Sequence, residues 1–154
     1  MANTLAVAKY LNDLCKQETG ADMTEMKMHK LMYFSQREAL MNTNEPLFGN
    51  DFEAWRYGPV LPEVRDEYHS TTPKFSGNYG KLSDVEKSLV AAVYTMYASR
   101  SAWTLSSLSH EEYSWKQARA GLSPDAPSQK KLSLSAMRVD AKRELLRRKG
   151  VLLA

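Results

Sequence analysis

The residues best suited to do chemistry lie in one run, Glu53-Ala54-Trp55-Arg56-Tyr57-Gly58-Pro59, which sets a carboxylate, an indole, a guanidinium and a phenol beside a Gly-Pro step. That chemistry is recognition. Tyr, Trp and Arg are the residue types that dominate binding hot spots, and Trp and Tyr each join an apolar body to a polar tip. Gly58 can take a positive φ without steric cost, and Pro59 fixes its own φ and biases Gly58 away from the helical region. An extended segment ending in a rigid corner is expected there. Alternation would point Phe52, Ala54 and Arg56 to one side and Glu53, Trp55 and Tyr57 to the other. Two readings follow: a short strand that only closes a helical core, or a corner that presents a binding surface. A second set, Lys30, Tyr33 and Arg37, is spaced i, i+3 and i+7, so its members share one helix face, offset from that helix's apolar stripe.

The chain offers little for catalysis. His29, His69 and His110 stand far apart with no HxxxH or HxH pair, and zinc needs three or four convergent ligands, so no metal is expected. Neither GxxxxGK[ST] nor GxGxxG occurs, so no phosphate-cradling loop is expected. Cys15 falls on an apolar helix face, where a thiol behaves as a small hydrophobe. Ser109-His110-Glu111 are consecutive, and neighbours on a helix point in different directions, so they cannot form a relay. No catalytic residue and no cofactor is expected. A pocket gathering His110, Glu111 and Lys30 would revive an enzyme reading.

Elements must position these residues. Asn3 can cap a helix over Thr4 to Thr19 stopped by Gly20, with Leu5, Ala8, Leu11 or Asn12, and Cys15 inward. Asp22 with Glu25 has capping-box spacing for a second helix, Met23 to Met41, with Met28, Leu31, Met32, Ser35 and Ala39 inward. The extended segment around 50–60 follows, then a short helix from Pro62 to about His69 and an exposed loop over 70–80. Ser83 with Glu86 opens a helix burying Val85, Leu89, Ala92, Val93 and Met96. A helix near Thr104 carries Leu105 and Leu108. Ser109 with Glu112 can start another, with Trp115 and Ala118 inward. A loop over 121–127 precedes a basic last helix, about 133–149, capped by Ser133 or Ser135, with Leu134, Met137, Ala141 and Leu145 inward. The fold class is mainly α, a compact helical domain of one piece, 1–154, with one short strand or hairpin.

Bulk numbers agree with an ordinary globular chain: 154 residues, 43% hydrophobic and 25% charged. Its 21 Lys and Arg against 18 Asp and Glu give +3, too weak to argue nucleic acid alone. Charge is uneven, however, with Lys130, Lys131, Arg138, Lys142, Arg143, Arg147, Arg148 and Lys149 set against only Asp140 and Glu144 at the C-terminal end. Such a helix is either a solvated face or an arm for nucleic acid or an acidic partner. No apolar run nears the roughly 18 residues that span a bilayer. The start has no basic region before an apolar stretch, and one cysteine makes no internal disulfide, so a cytoplasmic location is expected.

Three blocks resemble a known family. Lys30-Leu31-Met32-Tyr33-Phe34-Ser35-Gln36 resembles the "KLlYyaQ" helix of the Panacea domain of SocA-like antitoxins. Leu47-Phe48 with Glu53 to Pro62 resembles its "plf…ieAWkyGPVvP" segment. Leu105-Ser106-Ser107-Leu108-Ser109-His110-Glu111 with Trp115 resembles its "L…lsH.e..W" helix. The resemblance runs from about Leu5 to Arg119, and Tyr113-Ser114 stands where the family often has a Gly-Pro turn. It implies a mainly helical domain with a short β element, from bacteria or phage, acting as the antitoxin of a toxin–antitoxin system. Neutralisation by direct protein binding is the leading expectation. The alternatives are a nucleic-acid-binding autoregulator, working through the basic C-terminal helix, and a proteolytic adaptor that delivers its toxin to a AAA+ protease. Partner-binding residues expected on this reading are Lys30, Tyr33, Arg37, Glu53, Trp55, Tyr57, Gly58, Pro59, His110 and Glu111.

Overall fold

The structure is a computed structural model and describes residues 1–151; the last three residues of the expected domain lie outside the described residues. Among these there are seven helices and one small hairpin: α1 (Thr4–Thr19), α2 (Glu25–Thr43), β1 (Glu53–Trp55), β2 (Gly58–Val60), α3 (Pro62–Tyr68), α4 (Asp84–Tyr97), α5 (Ala102–His110), α6 (Tyr113–Ala118) and α7 (Leu134–Arg148). The mainly α class with a hairpin at 50–60 is therefore what the chain forms.

Helix α2 is the axis of the molecule. Every residue from Met28 to Leu40 is buried, because α1, α4, α5 and α7 pack around it. The expected inward stripe is buried, but so is everything beside it. A helix apolar on one face only would sit at the surface. Here the polar faces are covered too, and their charges must find partners inside.

Local chemistry explains most boundaries. Asn3 accepts from the Leu5 and Ala6 amides, and Gly20 ends α1 in the left-handed region at φ 78°. Pro62 stands in the first turn of α3. Ser83 and Glu86 form a full capping box on α4, and Ser133 caps α7. Other expectations are corrected. Thr24, not Asp22, caps α2, because Asp22 is taken by the Asn12 amide at 3.0 Å. Ser109 does not open a helix: it lies inside α5, bonding the Ser106 carbonyl at 2.8 Å, and α6 starts at Tyr113 after Glu112. The buried line of α4 is Val90, Val93 and Tyr97, while Val85 is 76% exposed. On α7 the buried set is Ala136, Met137, Asp140, Ala141 and Glu144.

The hairpin pairs antiparallel, Glu53 with Val60, Ala54 with Pro59 and Trp55 with Gly58. The chain therefore reverses at Arg56-Tyr57. Gly58-Pro59 opens the return strand and is not the corner itself. The outer edge of β1 is covered by a returning segment: Ala54 N donates to Lys130 O at 2.7 Å, and Leu132 N to Phe52 O at 2.9 Å. Phe52 and Ala54 point into the core, as alternation requires.

Candidate partner-binding site

The hairpin is fastened through its backbone by side chains from three helices. Trp115 Nε1 of α6 donates to Trp55 O at 2.8 Å. Buried Arg119 donates to Ala54 O at 2.9 Å. The Tyr57 carbonyl accepts from Lys30 Nζ of α2 and, at 2.8 Å, from Ser106 Oγ of α5. At the far end of β2, Leu61 N donates to His29 Nδ1 at 3.2 Å. These bonds lock the turn in place without using its side chains.

Gly58 is required twice over. Its φ is +121°, which L side chains rarely adopt, and a Cβ there would clash with Lys30 Nζ and lie 2.7 Å from Ser109 Oγ. The absent side chain is what lets α2 and α5 reach the turn. Pro59 is buried beneath it.

What the turn presents to solvent is aromatic and cationic. Tyr57 is 45% exposed and meets Trp103 of α5, itself 64% exposed, edge to face with centroids 5.6 Å apart. The Arg56 guanidinium lies 4.4 Å over the Tyr57 ring. Trp103 carries no signal in the sequence, because an isolated Trp at a helix start has no pattern of its own. Behind this apex runs a groove of about 840 Å³ between α2, the hairpin and residues 125–129. Met26, Trp55 and Val60 give it apolar walls, and Lys30 lines it. Trp55 is half-buried there, bonded to Glu53 Oε1 at 2.9 Å and covered by Arg65 at 4.9 Å.

A model of the family described as antitoxin SocA-like, Panacea domain, matches residues 28–116, more than half of the chain. The chain belongs to this Panacea family. A 63-residue stretch is 32% identical to Antitoxin SocA of Caulobacter vibrioides (strain NA1000 / CB15N), covering 41% of this chain and 34% of that protein. The match thus spans about a third of that relative's length. No solved structure matches the chain.

The three Panacea motif blocks, distant in sequence, meet at the hairpin: Lys30 from the first, Trp55 to Pro59 from the second, and Ser106, Ser109, His110 and Trp115 from the third. His110 stacks on Trp115 at 4.2 Å, and burial, with the Lys30 and Arg119 charges nearby, lowers its pKa. Glu111 points elsewhere, mostly exposed, 3.6 Å from Lys116. The groove that holds Lys30 is lined by neither His110 nor Glu111, so the gathering of all three that an enzyme reading needs does not form there.

Tyr33 and Arg37 are not a surface face of this Panacea domain. The Tyr33 hydroxyl is buried 3.1–3.2 Å from Glu112, Ser114 and Asp140. Arg37 pairs with Glu112 and donates to Tyr97 Oη at 2.8 Å. Asp140 accepts the Tyr113 and Ser114 amides at 2.7 and 2.9 Å, fixing the start of α6. This network joins α2 to α6 and α7. On the basic helix α7, Arg148 pairs with Glu38 and Glu144 at 2.8 Å and Arg147 with Glu144 at 2.7 Å, while Lys142, Arg143 and Lys149 are exposed.

Proposed function

We propose that this chain is a cytoplasmic antitoxin that neutralises a cognate toxin by direct binding, without chemistry, and that the apex of Arg56, Tyr57 and Trp103 with the groove behind it is the contact surface. The observation that carries this is the exposed pair of Tyr57 on the turn and Trp103 on α5, with the hairpin backbone held by Lys30, Ser106, Trp115 and Arg119. A contact surface ordered before binding loses less freedom when the complex forms, and Tyr, Trp and Arg are its most effective anchors. Family membership supports a toxin as the partner.

The test is co-expression with the product of the neighbouring gene. The toxin should co-purify with the chain. Tyr57→Ala and Trp103→Ala should each weaken the complex by roughly thirtyfold, the scale of a hot spot, with little change in melting temperature. A toxin recovered covalently altered, or rescued by catalytic traces of the chain, would overturn the binding reading. Toxin that disappears on co-expression without an accumulating complex would favour the proteolytic adaptor instead.

A further inference from the structure

We infer that the groove behind the hairpin takes a carboxylate of the bound partner protein, seated against Lys30 at its floor. This rests on the partner-binding reading above and names the chemistry the groove selects.

Lys30 is 2% exposed, and among the described residues no carboxylate pairs with it. Its bond is to the Tyr57 carbonyl, which Ser106 already satisfies in part. A buried ammonium without a counter-ion is costly, and burial lowers its pKa to about 8. Arg119 beneath the same hairpin repeats the pattern, held by the Ala54, Ser123, Pro124 and Ala126 carbonyls and, among the described residues, by no acid. The charged groups that line the groove with Lys30 are Arg56 on the turn, Arg65 on α3, Glu25 of α2 and Asp125 in the loop after α6, with His29 of α2 and His110 of α5 both held toward the neutral form. Glu25 does not offset the Lys30 charge. Its carboxylate is spent on His29, His69 and Arg65 at 2.9–3.2 Å. The groove therefore has apolar walls and a charged lining of Lys30, Arg56 and Arg65 against Glu25 and Asp125.

A single anion flanked by apolar groups fits this shape. A nucleic-acid strand does not, because Met26, Trp55 and Val60 in the walls would lie against a continuous run of phosphates. An acidic side chain set among hydrophobic residues of a protein meets both walls and floor, and charge-assisted hydrogen bonds of this kind are the strong ones.

The probe is the capped peptide Ac-Leu-Glu-Phe-NH2, with Ac-Leu-Gln-Phe-NH2 as its uncharged control, titrated into the full chain while the Trp55 indole proton is followed by NMR. The Glu peptide should bind roughly tenfold more tightly than the Gln peptide. Its affinity should fall roughly tenfold between about pH 7 and about pH 9.5, as Lys30 loses its proton. Lys30→Met should erase the Glu-over-Gln preference. Equal response to the two peptides, no response to either, a flat pH profile, or displacement by a thymidine octanucleotide would each overturn the inference. If Lys30→Met does not fold, the peptide pair and pH profile on the natural chain decide. Toxin capture with failed peptide discrimination removes the carboxylate seat and leaves the antitoxin reading standing. Peptide discrimination without toxin capture does the reverse.

Discussion

Gly58 shows how one residue can be scaffold and site at once. Gly58→Ala must hold a side chain at a φ suited to glycine, at about 1–3 kcal/mol, and must also push Lys30 Nζ and Ser109 Oγ from the turn. Urea unfolding should show that loss, and toxin binding should fall with it, since the groove floor moves; unchanged stability with unchanged binding would sink this account. Glu112 gives a second test. Burial, reinforced by Asp140, outweighs the Arg37 charge and raises its pKa to about 7. A carboxyl raised above its unfolded value stabilises the fold only while protonated. Its contribution is full below about pH 4.5 and is lost as pH rises through about 7, on the order of 3 kcal/mol. Urea midpoints at about pH 5 and about pH 8 should therefore fall for the natural chain relative to Glu112→Gln. A pH response identical in the two proteins would contradict this. Neither role was legible from residue spacing. Lys30, Tyr33 and Arg37 do share a side of α2, but spacing cannot say what covers that side, and the cover comes from Tyr57, Glu112 and Asp140, 27 to 107 positions away.

Helix starts set by a side chain within a few residues could be read directly, as at Asn3, Ser83 and Ser133, because the capping bond is local. The other starts fail because the side chain bonds elsewhere: Asp22 answers Asn12, and Ser109 bonds back to the Ser106 carbonyl inside α5. The rigid corner was legible from Gly58-Pro59 as a type of element but displaced to Arg56-Tyr57, because strand register depends on partners the local sequence does not name. The hairpin depends on Arg119, the residue that closes α6. Arg119 ties Ala54 to the loop carbonyls of Ser123, Pro124 and Ala126. Arg119→Ala leaves those acceptors unpaired, at roughly 3 kcal/mol, or a melting temperature lower by roughly 6–12 °C. Arg119→Lys should recover less than half, since an ammonium cannot reach four carbonyls set around a planar fork. Full recovery by Lys would mean that only the charge matters.

At the scale of the whole molecule, the Panacea match ends at residue 116, yet the buried network does not. Helix α7 lies beyond it and supplies Asp140 to Tyr33 and to the start of α6, and Glu144 to Arg148 and Arg37. It also places Ala136, Met137 and Ala141 in the core. Its buried face and the pairing of Arg148 with Glu38 make it a wall of the domain, with Lys142, Arg143 and Lys149 on the outer side. A chain ending at Leu132 would strip cover from the middle of α2 and leave Tyr33 and Arg37 short of partners in an apolar interior. Losing the partner of a buried charge alone costs about 3–5 kcal/mol, against a total stability of about 5–15 kcal/mol. That truncated chain should show no cooperative urea transition and should not capture the toxin. Asp140→Asn, which keeps the volume but can no longer accept from both the Tyr113 and Ser114 amides, should fold with a lowered midpoint and keep the hairpin surface intact. A truncated chain that unfolds cooperatively at the full-length midpoint would show instead that α7 is an appendage, and that α2 is covered by something other than the helix packed on it.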